Sequence, residues 1–213
     1  MYAEPGAYTV VLTASSNAGT DVFSDTVAVY GPPAADFTAH PTQGPYPLNV
    51  AFTDTTTIHP PGDPTLMHLW RFGDGGNSNL PYPSHTYTSH GVYTVTLAVS
   101  NGAGSDTLTR TSYITVYVPV RGGFTAWPTS GVAPLKVMFA NTSTGDFTTS
   151  LWDFGDGVTS TVQSPSHVYT APGIYTVTLV VSGPGGSDTE TKEGYITVER
   201  WYRVYLPLVL RDH

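Results

Sequence analysis

Carboxylate and imidazole side chains recur at a fixed spacing in this sequence. Asp74 precedes His85 by the same interval that separates Asp156 from His167. These residue types perform general acid–base chemistry or bind metal ions. An active site is rarely built once in every repeat of a chain, so the recurrence favours structural roles for all four residues.

A calcium site at the Asp-Gly loops is the alternative chemistry for Asp74 and Asp156. Carboxylates and turn carbonyls are oxygen ligands that calcium accepts. No contiguous Asp-x-Asp-x-Asp loop accompanies the two residues. We therefore expect no metal and no cofactor, with calcium at Asp74 and Asp156 as the alternative.

Motifs of known catalytic machinery do not occur in the chain. There is no His-Glu-x-x-His motif, no Gly-x-Ser-x-Gly motif, and no Gly-rich phosphate loop that opens a helix. The chain contains 0 Cys, which excludes thiol catalysis and cysteine metal ligands. The sequence thus predicts a protein that is not an enzyme.

The composition is typical of short strands joined by tight turns. The chain has 22 Gly and 18 Pro, and only 11% of its residues are charged. Its net charge is −8, and its 8 Lys and Arg form no basic patch, so we expect no nucleic-acid partner. No apolar run is long enough to span a bilayer, so we expect no membrane insertion.

Three motifs occur twice in the same order. The same number of residues separates the first copy of each motif from its second copy. The motifs are Trp-Arg-Phe-Gly-Asp-Gly at 70–75 and Trp-Asp-Phe-Gly-Asp-Gly at 152–157, Ser-His-x-Tyr at 84–87 and 166–169, and Gly-x-Tyr-Thr-Val-Thr-Leu at 91–97 and 173–179. The last motif alternates apolar and polar residues, which predicts a half-buried strand. Tandem β-domains are therefore expected.

A third, partial copy begins the chain, since Gly-Ala-Tyr-Thr-Val-Val-Leu at 6–12 matches the last motif. The sequence predicts the C-terminal half of a sandwich at 1–31, complete sandwiches at 32–118 and 119–199, and an apolar tail strand at 200–213. We call the complete copies repeat 2 and repeat 3. An alternative explanation of the half-copy is that Met1 is an internal residue of a longer chain.

The three motifs together resemble the polycystic kidney disease (PKD) domain family. The resemblance covers about residues 1–199, although Arg71 stands where the family usually has Asp. It implies an all-β fold of tandem immunoglobulin-like β-sandwiches. It also implies an extracellular or cell-surface location, because such domains occur in surface proteins and as accessory modules of secreted microbial hydrolases. The Tyr-Leu-Pro-Leu-Val-Leu run at 205–210 resembles the ends of secreted proteins of filamentous green bacteria.

The two ends suggest what the protein does. A half-sandwich and a spare apolar strand could meet between molecules, and such head-to-tail contacts would not close. We expect a structural or adhesive repeat protein that binds copies of itself or other surface proteins. The residues expected to make the assembly contacts are Tyr8, Val10, Leu12, Val204, Tyr205, Leu206, Leu208, Val209 and Leu210.

The alternative function is an accessory module of a larger secreted hydrolase that binds polysaccharide or protein. Trp127, Trp201, Tyr46 and Tyr82 could stack on sugars, or they could pack at strand edges and domain junctions. Asn141 begins an Asn-Thr-Ser sequon, which matters where the source organism glycosylates such sites.

Overall fold

A computed structural model describes residues 2–201, which form eighteen strands and no helix. The all-β prediction is confirmed. The strands are β1 Gly6–Ser16, β2 Gly19–Val29, β3 Phe37–His40, β4 Gln43–Pro45, β5 Leu48–Asp54, β6 Met67–Arg71, β7 Asn77–Ser78, β8 Ser84–Tyr87, β9 Gly91–Asn101, β10 Gly104–Tyr117, β11 Phe124–Trp127, β12 Ser130–Val132, β13 Leu135–Asn141, β14 Thr149–Asp153, β15 Thr159–Ser160, β16 Ser166–Tyr169, β17 Gly173–Gly183 and β18 Gly186–Glu199.

Repeat 2 is a sandwich of two sheets. One sheet has the strand order β3-β5-β8 and the other β4-β10-β9-β6-β7. Every second residue of β9 faces inward, and Val95, Leu97 and Val99 are buried. Trp70 fills the centre of this core, where its ring meets Phe37 edge-on.

Repeat 3 has the same two sheets, with orders β11-β13-β16 and β12-β18-β17-β14-β15. Strand β12 runs parallel to β18, while the other strand pairs of this repeat are antiparallel. Trp152 takes the central position that Trp70 has in repeat 2. Tight turns join β9 to β10 and β17 to β18, as the Gly-rich sequences predict.

Strands β1 and β2 form a two-stranded sheet with one continuous register from the Gly6–Val29 pair to the Ser16–Gly19 pair. We call this element the hairpin. The chain divides into two compact units, residues 1–116 and 117–213, so the hairpin and repeat 2 belong to the first unit. Within the described part of the chain, no helix is long and apolar enough to cross a membrane.

Candidate functional site

The recurring Asp and His residues form the same hydrogen-bonded arrangement in each complete repeat, and we call this arrangement the lock. His85 Nε2–H donates to Asp74 Oδ2 over 2.7 Å, and the imidazole stacks on Phe72 with 4.2 Å between ring centroids. Tyr87 Oη–H donates to the Phe72 carbonyl over 3.0 Å. The lock therefore ties the Phe-Gly-Asp-Gly turn at 72–75 to strand β8.

Repeat 3 builds the same lock from the same residue types. His167 Nε2–H donates to Asp156 Oδ2 over 2.7 Å, and its ring stacks on Phe154 at 4.4 Å. Tyr169 Oη–H donates to the Phe154 carbonyl over 3.0 Å. Two copies with matching geometry support the structural roles expected from the sequence.

In repeat 2 the electrostatics of the lock favour an ionised Asp74 carboxylate. Partial burial by itself would raise the pKa of Asp74, but hydrogen bonds from His85 and from the Gly76 N–H outweigh it and hold that pKa below its ordinary value. Burial, helped by the Asp74 charge, raises the pKa of Tyr87. The phenol thus remains a donor to the Phe72 carbonyl.

The turn of each lock needs glycine. Gly73 has φ +92°, and a Cβ there would lie 2.5 Å from the Thr94 carbonyl oxygen. Gly155 has φ +81° and would meet the Thr176 carbonyl in the same way. Because these glycines lack a Cβ, the turn can lie directly on the neighbouring strand. This close approach holds the aspartate beside its histidine.

The calcium alternative receives no additional ligand from the fold. Residues 2–201 contain no cluster of three or more His, Cys, Asp or Glu side chains that could hold a metal ion. The second oxygen of Asp74 accepts from the Gly76 N–H at 2.9 Å, and that of Asp156 accepts from the Val158 N–H at 3.2 Å. Calcium binding at Asp74 and Asp156 stays an untested alternative.

The hairpin repeats the local geometry of the last two strands in the complete repeats. Tyr8 Oη–H donates to the carbonyl of Glu4, four residues earlier, over 2.8 Å. Tyr93 and Tyr175 make the corresponding bonds over 2.7 and 2.8 Å. The Tyr2 and Tyr8 rings stack at 4.1 Å, as the Tyr87 and Tyr93 rings pack at 4.5 Å.

One face of the hairpin carries the residues that are buried in the complete repeats. Val10 and Leu12 correspond to the fully buried pairs Val95 and Leu97 or Val177 and Leu179, yet they are 41% and 65% exposed. Phe23 lies opposite Leu12 and is 64% exposed. We call this surface the hairpin face, formed by Tyr8, Val10, Leu12, Phe23 and Val27.

The hairpin face differs from its counterparts by the sign of one charge. Asp25 pairs with Val10 in the register, whereas Arg110 pairs with Val95 and Lys192 with Val177. The two cations lie over aromatic rings of their own repeats, Arg110 at 5.1 Å from the Phe37 ring and Lys192 at 4.9 Å from the Phe124 ring.

The other half of the expected assembly surface belongs to the tail. Its predicted contact residues Val204, Tyr205, Leu206, Leu208, Val209 and Leu210 lie outside the described residues. The fold thus brings together Tyr8, Val10 and Leu12 on one face, and the proposal for the tail rests on its sequence.

The remaining sequence candidates are scattered over the surface. Trp127, Tyr82 and Trp201 are 72%, 68% and 64% exposed, while Tyr46 packs against the core of repeat 2. The side-chain nitrogen of Asn141 is buried without a hydrogen-bond partner in the described part of the chain. A glycan on that nitrogen would require the end of β13 to open.

A second carboxylate–imidazole pair was not anticipated from the sequence. His68 Nε2–H donates to Asp54 Oδ2 over 2.7 Å, and each side chain is only 9% exposed. Repeat 3 has Asn141 and Ser150 at the corresponding positions. A position-by-position comparison of the two repeats would have marked Asp54 and His68 as specific to repeat 2, but not as partners.

The fold and its duplicated lock define a tandem array of immunoglobulin-like β-sandwich repeats. The family model for the PKD domain matches residues 30–116 and 122–198. The chain belongs to the PKD domain family, as the sequence motifs indicated.

Relatives of this chain include much longer proteins. A microbial collagenase of Vibrio alginolyticus is 31% identical over 124 residues, which is 58% of this chain and 15% of that protein. The pre-pro-metalloprotease PrtV of Vibrio cholerae is 44% identical over 71 residues, covering 32% of this chain and 8% of PrtV. The chain therefore spans a small part of these relatives.

A three-domain fragment of titin, I67–I69 in an E-to-A variant, resembles the chain in fold. The TM-score is 0.53 at 17% identity, and the match covers 92% of this chain and 75% of the titin fragment. This likeness concerns the immunoglobulin-like architecture alone. Domains of this kind are typically non-catalytic modules.

Proposed function

We propose that this protein is a non-catalytic extracellular repeat protein that assembles head-to-tail through its two ends. In this proposal the hairpin is the C-terminal half of a sandwich, and the tail of another copy covers its apolar face. The observation that carries the proposal is the exposure of Val10 and Leu12 at positions that are buried in complete repeats, together with the exposure of Phe23 opposite Leu12. An apolar surface of this kind marks an interaction site.

Length and charge favour the tail as the occupant of the hairpin face. Residues 202–213 would make a strand about as long as β1 or β2, which have 11 residues each. Residues 1–31 carry Glu4, Asp21 and Asp25 and no Lys or Arg, while residues 200–213 carry Arg200, Arg203 and Arg211 against one acid. Opposite charges at the two surfaces favour their encounter and their register.

The complete repeats suggest where the tail binds. In repeat 2, β9 lies between β10 and β6, and Trp70 of β6 packs in one core with residues that correspond to the hairpin face. A tail strand in the equivalent place beside β1 would present Leu206, Leu208 and Leu210 on one side. Pro207 fits an added edge strand because its missing N–H can point away from β1.

Contacts of this kind would produce an open assembly. The hairpin and the tail are different surfaces. A copy whose tail has bound one partner therefore still has a free hairpin for another copy. Strand addition of this type derives its affinity from backbone hydrogen bonds and its specificity from side-chain pockets. The proposed product is a filament of sandwiches outside the cell.

Binding of the isolated tail tests the proposal. A fluorescent peptide of residues 200–213 is titrated with a chain that ends at residue 199, and a scrambled peptide serves as control. The proposal predicts saturable binding of the native peptide that Leu12→Ser in the hairpin weakens. Equal affinity for native and scrambled peptides would contradict the tail as occupant.

The second candidate is an accessory module of a larger secreted hydrolase. We infer it from the similarity to a collagenase and to a metalloprotease, of which this chain covers 15% and 8%. In that case residues before Met1 in a longer chain would complete the hairpin sandwich. Recovery of a longer polypeptide with hydrolase activity from the native source would favour this candidate, and a native chain of this length would oppose it.

A further inference from the structure

Repeat 2 contains a cleft with a lining that its fold does not require. The cleft has a volume of about 410 Å³, and Asp54, Thr56, His68, Pro81 and Tyr82 are among its walls. It opens beside the loop at 58–66, where repeat 2 is longer than repeat 3. All of these residues belong to one repeat and one compact unit.

Comparing the two repeats shows which contacts both sandwiches share and which are present in repeat 2 alone. In both repeats a side-chain oxygen of the last residue of the strand, β5 in repeat 2 and β13 in repeat 3, accepts a hydrogen bond from a backbone N–H. Asp54 Oδ1 accepts from Thr56 over 2.8 Å, and Asn141 Oδ1 accepts from Ser143 over 2.9 Å. An uncharged amide performs this role in repeat 3, so the charge of Asp54 serves another purpose.

The carboxylate of Asp54 uses its second oxygen to hold His68. Both side chains are 9% exposed, and burying a carboxylate is unfavourable unless it is paired. Repeat 3 has the neutral residues Asn141 and Ser150 at these two positions. Such an arrangement fixes the imidazole orientation and leaves acceptor capacity on the carboxylate, since each oxygen has two lone pairs.

The rim and the wall of the cleft add complementary chemistry. Tyr82 is 68% exposed on a loop that the Trp70 indole N–H anchors through the Leu80 carbonyl at 2.9 Å. Ser164 stands at the position of Tyr82 in repeat 3. The Thr56 hydroxyl is buried with no hydrogen-bond partner among residues 2–201, whereas Ser143 Oγ–H donates to the Gly123 carbonyl at 3.2 Å.

This combination matches a sugar ring, which has one face of C–H groups and a rim of hydroxyls. An exposed aromatic ring covers the C–H face, and the carboxylate, with the imidazole held in place by its Nε2–H bond to Asp54 Oδ2, accepts hydrogen bonds from neighbouring hydroxyls. Asp63 also lines the cleft and keeps a lowered pKa, chiefly through its hydrogen bond from Thr65. Two carboxylates favour a neutral sugar over an acidic one.

We propose that the cleft formed by Asp54, His68 and Tyr82 in repeat 2 binds a neutral polysaccharide. Repeat 3 carries no counterpart, because Asn141, Ser150 and Ser164 replace the three residues. The site is independent of assembly through the hairpin and the tail. The site would let the protein bind a polysaccharide whether the protein forms a filament or is an accessory module.

Affinity electrophoresis of the whole chain tests this site, with soluble starch, hydroxyethyl cellulose and galactomannan as neutral probes and polygalacturonate as the acidic probe. Retardation by at least one neutral probe is expected. The double variant Asp54→Asn/His68→Ser and the variant Tyr82→Ser each introduce the residues of repeat 3, which fold in that context. Each should weaken retardation about tenfold.

Two controls keep the outcome informative. Thermal unfolding should show that the variants remain folded, and Met138→Ala shortens an exposed side chain in repeat 3 without touching the cleft. Unchanged retardation in Met138→Ala is expected. The proposal is overturned if none of the neutral probes retards the protein, if polygalacturonate alone does, or if the cleft variants are retarded as strongly as the parent.

Discussion

Asp25 lies directly opposite Val10 in the hairpin, at the place that a basic residue occupies in both complete repeats. Arg110 and Lys192 extend over a phenylalanine of their own sandwich. Asp25 has the opposite charge and an exposed side chain. The hairpin thus has an apolar face like the strand pairs of the complete sandwiches, but its charge there is negative. A negative charge is complementary to a basic partner, and the tail is basic.

Substitutions on the hairpin face should weaken tail binding without affecting the fold of the monomer. Leu12→Ser and Phe23→Ser change side chains that are 65% and 64% exposed, so the free energy of unfolding should change by about 0.5 kcal/mol or less. Affinity for the peptide of residues 200–213 should fall about tenfold. Fluorescence anisotropy measures the affinity, and a loss of binding for Thr13→Ser, on the opposite face, would contradict a face-specific contact.

The charge of Asp25 makes a separate prediction. Asp25→Lys introduces the sign found in the complete repeats, and it should reduce peptide affinity about threefold at low salt. The difference from the parent protein should shrink as sodium chloride is raised, because exposed charges are screened. Tighter binding by Asp25→Lys would argue against the basic tail as the partner.

The lock turns should tolerate no side chain at their first glycine. Gly155→Ala combines a positive φ with a Cβ placed against the Thr176 carbonyl, and it should destabilise repeat 3 by about 3 kcal/mol. Gly157→Ala has a similar φ of +87° but open space around the Cβ, so it should cost about 1 kcal/mol. Urea unfolding of both variants checks this order, and equal losses would exclude the steric contact.

Acid should weaken the lock of repeat 2 through Asp74. Its pKa is lower in the folded protein than the ordinary value of 3.8, so the unfolded chain takes up the proton first as the pH falls. The stabilisation is present above that ordinary value and is lost as the pH falls through the folded pKa. Denaturant unfolding at pH 6 and pH 3 should therefore show a smaller pH effect in Asp74→Asn than in the parent protein.

Arg110 should contribute to the stability of repeat 2 through its charge. Its guanidinium donates to Asp36 over 2.8 Å and lies over the Phe37 and Tyr113 rings. Arg110→Met keeps much of the aliphatic stem and should destabilise the repeat by about 1 kcal/mol. Lys136→Met removes an exposed charge from repeat 3 and is the matched control in the same thermal unfolding experiment.

The sequence predicted those features that local patterns encode. Alternation along 91–97 and 173–179 defined strands, and the repeated motifs placed Asp74 and His85 in matching structural roles. Arg110 and Asp54 could not be assigned partners in advance. Arg110 lies at a break in the β9–β10 register, and Asp54 meets His68 only when β5 and β6 of different sheets come together.

Sedimentation velocity of the whole chain over a range of concentrations tests head-to-tail assembly most directly. The chain of residues 1–213 should grow beyond the 22.7 kDa monomer and beyond a dimer as its concentration rises. A chain that ends at residue 199, and the full chain with Leu12→Ser and Phe23→Ser, should remain monomeric. A full chain that stays at the mass of one copy at the highest concentration would contradict assembly through the hairpin and the tail.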